Sequence, residues 1–171
     1  MKTNKVIVLD YDPVWVDHFQ RIASEVQNVL GHLVLRVEHV GSTSVPGLAA
    51  KPIIDLDVVI RSYEDFPQVL EKLADIGYIH EGDLGIPGRE AFRYENKPHL
   101  QKHHLYVCPE DSPELKRHVT FRDYLRSHSE AAQAYGRVKQ DAAALYPNDI
   151  DGYIQHKMHI IEKLYVQCGL L

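Results

Sequence analysis

The feature that most constrains this chain is the run from His39 to Ile60, HVGSTSVPGLAAKPIIDLDVVI, in which two aspartates interrupt an apolar segment. Ile53, Ile54, Leu56, Val58, Val59 and Ile60 are bounded upstream by Pro52, and a β-branched run of this kind reads as a buried strand. Strand side chains alternate between faces, so Asp55 and Asp57 share one face with their Cα atoms about 6.6 Å apart. Two anions about 6 Å apart repel by roughly 2–3 kcal/mol at an effective dielectric of about 20, and desolvation adds to that. A purely structural strand has no reason to carry this cost. A strand end that holds a divalent cation does, because the ion inverts the local field. Two carboxylates with room left for waters and substrate phosphates suit Mg2+, or Mn2+ in its place. The competing reading sets one Asp at a solvated sheet end and the other against Lys51 or an arginine.

The turn before the strand bears on the choice. Gly41 lets backbone approach a ligand closely, and Ser42, Thr43 and Ser44 offer hydroxyls and N–H groups. A helical turn starting near Ser44 would favour a phosphate at its N-terminus, although Pro46 and Gly47 keep such a helix short. An ordinary Ser/Thr-capped turn is the plainer alternative. Lys51 either reaches phosphates as a point charge or neutralises the carboxylates. His39, at the end of the preceding strand, braces the turn or acts in proton transfer.

Gly-Ser followed by Asp-x-Asp on a strand resembles the signature of the DNA polymerase β-like nucleotidyltransferase superfamily. The longer stretch GSTSVPGLAAKPIIDLDV resembles the central motif of the GrpB family, small proteins placed in that superfamily by fold. The resemblance extends to YDPVW near the start, to FRDYLRSHSEAAQAYGRVK, and to the late Tyr153 and Lys157. It implies a nucleoside triphosphate as ligand, Mg2+ on Asp55 and Asp57, and phosphate binding at Gly41, Ser42, Thr43 and Ser44. Arg122, in FRDYLR, would grip phosphate or pair with Asp123 or Asp55. Lys139 and Lys157 are surface lysines by default, and the resemblance turns them toward the ligand. Superfamily members commonly carry a third acid on a later strand, yet HHLYVC at His103 to Cys108 has none. His104 would then take the role of base, or Glu90 or Glu95 would substitute, in transfer of a nucleoside monophosphate to a small-molecule or protein hydroxyl; alternatively the chemistry is lost, leaving a nucleotide- or metal-binding module, or differs, as in a metal-dependent hydrolase assisted by His39 and His104.

The chain of 171 residues should form one domain, with a core from about 1 to 110 and C-terminal helices from about 112 to 168. The expected fold is α/β, a mixed sheet of about four or five strands closed by a C-terminal helical layer. Net charge of −5 with no block of like charges argues against general nucleic-acid binding, but not against a small anionic ligand. Cys108 and Cys168 form no disulfide framework, no apolar stretch reaches membrane-spanning length, and Met1 to Leu9 is too short for a signal sequence. A reduced, cytoplasmic compartment is the expectation. The acceptor and the oligomeric state are not legible.

Asp12-Pro13 reads as a helix start, with Val14, Trp15, Phe19, Ile22, Val26 and Leu30 at helical spacing. Trp15 and Phe19 read as packing residues. Leu33 to Val40 reads as a strand with Leu35, Val37 and His39 on one side and Arg36 and Glu38 on the other. Glu64 to Asp75 is an amphipathic helix, Tyr78 to His80 a strand, and glycine-rich Glu81 to Gly88 a mobile loop over a site. Arg89 to Tyr94 and His103 to Cys108 are further strands. His99, His103 and His104 suggest zinc, but adjacent strand residues face opposite ways and zinc needs further ligands. Helices follow from Ser112, from Ser129 to about Leu145, and from about Asp151 to Val166.

Overall fold

The computed structural model describes residues 5–171, so the reading of Met1 to Asn4 lies outside the described residues. Its sheet has five strands, β1 (Val34–Val40), β2 (Ile54–Ile60), β3 (Ile79–Gly82), β4 (Glu90–Arg93) and β5 (His103–Pro109), in the order β1-β2-β5-β4-β3. The β2–β5 pair is parallel and the other pairs are antiparallel. The expected mixed α/β architecture is the one observed.

Alternation along β2 divides the molecule. Ile54, Leu56, Val58 and Ile60 join the main core, with α1 (Val14–Leu30) and α2 (Phe66–Asp75) packed on that side. Trp15 and Phe19 belong to this core, as their spacing predicts. Val59, on the opposite face, packs with Cys108 and Leu115 beneath α3 (Pro113–Ser127). Asp55 and Asp57 share this second face. Helices α4 (Ser129–Leu145) and α5 (Ile150–Gln167) complete the layer, and Val45 and Leu48 pack against Leu125, Tyr135 and Leu164. The turn after β1 is thus gripped from above by the C-terminal helices.

The helix starts follow their local chemistry. Asp12 Oδ1 accepts from the Val14 N–H at 3.0 Å, and Ser112 Oγ accepts from the Leu115 N–H at 3.2 Å, satisfying donors that a helix leaves unpaired. Tyr63–Asp65 forms a separate 3-10 turn ahead of α2, capped by Ser62. The lead-in pairs Leu9 with Ala50 and ties Val6 to Pro147.

The predicted alternation on β1 fails at Leu35, which is exposed rather than inward. A register shift between Val34 and Arg36 against β2 explains this, because one extra residue flips every side chain before it. His103 and His104 do face opposite ways. His103 is buried, stacked on Tyr94 and hydrogen-bonded to the Tyr78 hydroxyl at 2.7 Å, while His104 is exposed.

Candidate functional site

Gly41 leaves β1 at φ +72° and ψ −175°, a backbone region open to glycine alone. A Cβ there would strike the Asp55 side chain, its carboxylate first and its Cβ at 3.0 Å. The turn and the first aspartate are therefore in direct contact. The helix expected near Ser44 is instead one 3-10 turn, Ser42–Ser44, that ends where the helix was to begin. The motif's last two hydroxyls serve the turn itself. Thr43 Oγ1 shares a 2.9 Å hydrogen bond with His39 Nε2, and Ser44 Oγ donates to the Gly41 carbonyl. Ser42 alone among them faces both cavities described below.

His39 stacks on Phe19 with 4.6 Å between ring centroids and lies outside both cavities. Burial, with the charge of Arg126, lowers its pKa to about 4, so it is a neutral brace for the turn. A hydrolase built on His39 and His104 together has no geometric support.

Asp55 and Asp57 are each met by a histidine. His104 Nδ1 donates to Asp55 Oδ1 at 2.9 Å from the paired position on β5. His118, on α3, donates from Nδ1 to Asp57 Oδ2 at 2.7 Å, and its Nε2 lies 3.2 Å from the Glu114 carboxylate. Asp57 is fully buried, and its Oδ1 has no hydrogen-bond partner. Burial pushes the Asp57 carboxyl up against the pull of His118. Burial would lower His118, but its hydrogen bond to Asp57 and the charges of Asp57, Glu114 and Asp55 outweigh that and raise it. Among the described residues neither aspartate is ion-paired to a lysine or arginine.

Two cavities meet at Asp55 and Ser42. One, of about 200 Å³, is lined by Lys51, Lys139, Lys157, Thr43, Tyr153 and His104. Lys139 is 3% exposed, donates to the Ser42 hydroxyl and to the Ala49 carbonyl, and lies over the Tyr135 ring. Lys51 and Lys157 lie 5.1 and 4.7 Å from the Tyr153 ring centroid. Burial lowers all three ammonium groups: Lys157 to about 8, with the charge of Lys51 contributing, and Lys139 well below its ordinary value, with the charge of Lys157 contributing. The default surface reading of Lys139 and Lys157 is thereby overturned. The second cavity, of about 210 Å³, has Phe121, Tyr135 and Tyr165 in its walls, with Arg117 and His118 beside them.

Arg122 borders the second cavity but is engaged elsewhere. It donates to Glu38 at 2.6 Å, to the His39 carbonyl at 3.0 Å and to Asp123 at 3.0 Å. Arg126 donates to the Ser44 carbonyl. The two arginines pin α3 to the turn. Glu90 faces His80, Glu95 faces Arg93, and neither lines a cavity at the aspartates, so neither substitutes for a third acid. The Glu81–Gly88 loop lines neither cavity. Among the described residues no three His, Cys, Asp or Glu side chains are grouped to hold a metal, which removes the zinc reading. His118 and the aromatic wall were not read from sequence. The available signal was spacing, since His118 lies four residues before Arg122 on one helical face.

A family model described as GrpB protein matches residues 5–167. The chain belongs to the GrpB family. The crystal structure of GrpB from Enterococcus faecalis superposes with a TM-score of 0.82 at 37% identity, covering 95% of this chain and 96% of that one. The UPF0157 protein YqkA of Bacillus subtilis is 37% identical over 90% of this chain, which spans 44% of that protein. A UPF0157 protein of Halalkalibacterium halodurans is 35% identical over 93% of this chain and 80% of its own length. The MgGTP-bound Cid1 poly(U) polymerase superposes with a TM-score of 0.56 at 14% identity, over 79% of this chain and 44% of that one. The fold of the GrpB chain is therefore nucleotidyltransferase-like. No helix of the described residues is long and apolar enough to cross a membrane.

Proposed function

We propose that this GrpB chain is a Mg2+-dependent nucleotidyltransferase, moving a nucleoside monophosphate from a nucleoside triphosphate to a hydroxyl of a small molecule or protein. One observation carries this reading. Lys51, Lys139 and Lys157 come from separate segments to a cavity at the Ser42 turn whose only lining acid is Asp55. Ammonium groups buried together repel and lose hydration unless an anion joins them. A triphosphate tail is such an anion, and the Cid1 structure of the same fold holds MgGTP.

The donor set fits the ion. Asp57 keeps a buried oxygen without a partner, and Asp55 and Asp57 supply the hard carboxylate oxygens that Mg2+ or Mn2+ prefers. When bound, the ion would neutralise phosphate charge and assist displacement at the α-phosphorus. The chain's own residues do the rest. Ser42 and the lysines hold the β- and γ-phosphates and stabilise the departing pyrophosphate. Gly41 lets the turn lie against Asp55. His104 fixes the Asp55 carboxylate from the lysine side, which places its ring by the leaving group. The acceptor oxygen bonds to the α-phosphorus, the bond to pyrophosphate breaks, and the hydroxyl proton passes to solvent.

Calorimetry with ATP, GTP, CTP and UTP in Mg2+, followed by pyrophosphate-release assays, tests the reading. Saturable binding is expected, weakened about tenfold or more by Lys157→Gln and lost in Asp55→Asn. Phosphate release untouched by Asp55→Asn would place the chemistry elsewhere. A second reading, a nucleotide-binding module without turnover, is favoured by the register of β5. It sets His104 and Tyr106 opposite Asp55 and Asp57, with no acid in either place. Tight binding with no pyrophosphate from any acceptor would select it.

A further inference from the structure

The aromatic cavity shares only Asp55 and Ser42 with the lysine cavity, and none of the three lysines lines it. The two carboxylate oxygens of Asp55 divide accordingly. Oδ1 accepts from His104, which lines the lysine cavity, and Oδ2 lies against Gly41, which lines the aromatic one. In-line displacement at phosphorus needs the attacking and leaving oxygens on opposite sides. With pyrophosphate drawn to the lysines, the attacking hydroxyl comes from the aromatic side.

We infer that this cavity is the acceptor site, and that the acceptor is a small hydroxylated anion with a planar, apolar body. This inference rests on the nucleotidyl-transfer reading above. Size supports the small molecule. About 210 Å³ equals roughly seven water volumes and lies below the range of drug-sized pockets, so it takes a single ring with short substituents. Phe121 and Tyr165 meet edge to face with 4.9 Å between centroids, leaving aromatic surface for a planar guest. Charge supports the anion. His118 is held by Asp57 at 2.7 Å and by Glu114 at 3.2 Å, whereas among the described residues Arg117 has only Glu114 as an acidic partner, at 3.6 Å. The Arg117 side chain is 45% exposed and also lies by the Tyr165 ring, free to turn a planar fork to a carboxylate or phosphate.

On transfer, the acceptor oxygen gains its bond to the α-phosphorus, the α–β bridging bond breaks, the proton leaves to solvent, and pyrophosphate departs on the lysine side. The test uses 4-hydroxyphenylacetate as the probe and the full chain in calorimetry, with tyrosol as its uncharged counterpart. Saturable binding of the anion is expected, with tyrosol and the Arg117→Gln variant each weaker by about tenfold. Phe121→Ala should weaken both compounds, while Mg-ATP affinity stays constant in Arg117→Gln. Arg117 is a surface side chain, so that variant keeps the test readable if Phe121→Ala unfolds. Probe binding unchanged in Arg117→Gln would overturn the inference. So would Mg-ATP binding that falls in Arg117→Gln and Phe121→Ala, since the cavity would then hold the donor's nucleoside. If the probe binds as expected and Mg-ATP does not bind at all, the acceptor role falls along with nucleotidyl transfer, and the aryl-anion site remains. Probe bound in an Arg117-dependent way, Mg-ATP bound, and a pyrophosphate yield that rises with the probe would establish the role.

Discussion

Replacing Gly41 by alanine should separate backbone strain from loss of the site, provided Gly47→Ala is measured beside it. Both glycines have positive φ, +72° and +82°. At Gly47 nothing lies within 4 Å of a new Cβ, so alanine there meets only the left-handed backbone penalty, about 1–2 kcal/mol. At Gly41 the backbone conformation costs about 1–3 kcal/mol. The new methyl also meets the Asp55 Cβ at 3.0 Å and Cγ at 3.1 Å, distances that the side chain must open. Opening them shifts the carboxylate that accepts from His104. For a chain of this length each kcal/mol lowers Tm by about 2–4 °C, so Gly47→Ala should fall by about 2–8 °C and Gly41→Ala by about 2–12 °C before the cost of the Asp55 contact is added. Only Gly41→Ala should lose Mg2+-nucleotide binding, by tenfold or more, because only there does the strain displace a carboxylate. Denaturant unfolding gives the first quantity and calorimetry with Mg-ATP the second. If Gly41→Ala binds Mg-ATP as the unaltered chain does, the contact between turn and carboxylate has no part in the site. If Gly47→Ala loses binding as well, general loosening explains both.

Arg122→Met leaves Glu38 Oε2 and the His39 carbonyl without this donor, with Arg36 still on Glu38 Oε1, and should destabilise the fold by about 2–3 kcal/mol in urea while barely changing Mg-ATP affinity at temperatures where the variant is folded. A large loss of affinity with little loss of stability would restore Arg122 as a phosphate ligand. Inorganic tripolyphosphate should raise Tm more at pH 7 than at pH 9, because Lys157 loses its charge through about 8 and an anion binds the charged form. Equal shifts at both pH values would detach the lysine cavity from anion binding. Burial, with nearby cations, lowers His39 and His103 to about 4. The native state therefore refuses protons that the unfolded chain accepts near 6.5. Stability should be complete above about pH 6.5 and fall between there and about 4, by roughly 2 kcal/mol per histidine at pH 5. Urea midpoints at pH 7.5 and 5 measure this, and a flat profile would mean that the rings are solvated.

The sequence by itself determined the elements and the paired acids. Strand alternation put Asp55 and Asp57 on one face, and the residues flanking them were apolar enough to bury. The Ser112-Pro113 start, Asp12 as a cap and the α2 stripe are likewise local, because each is decided within a turn or two of chain. What lay beyond reading was which side chains from distant segments arrive at that face. Lys139 and Lys157 look like surface lysines on their own helices; the family resemblance turned them toward the ligand, but no local pattern did, and the packing of α4 and α5 over the Ser42 turn is what brings them to the cavity. Arg122 read as a phosphate ligand or as a partner of Asp123 or Asp55; it does meet Asp123, and Glu38, 84 residues earlier, is the partner no local pattern named. His118 carries only its helical spacing from Arg122, which names no partner until α3 lies across the sheet and sets its ring on Asp57. Local periodicity fixes which face of an element a residue occupies. The charge and solvent that face will meet are set by long-range packing, and the character of this site rests on them.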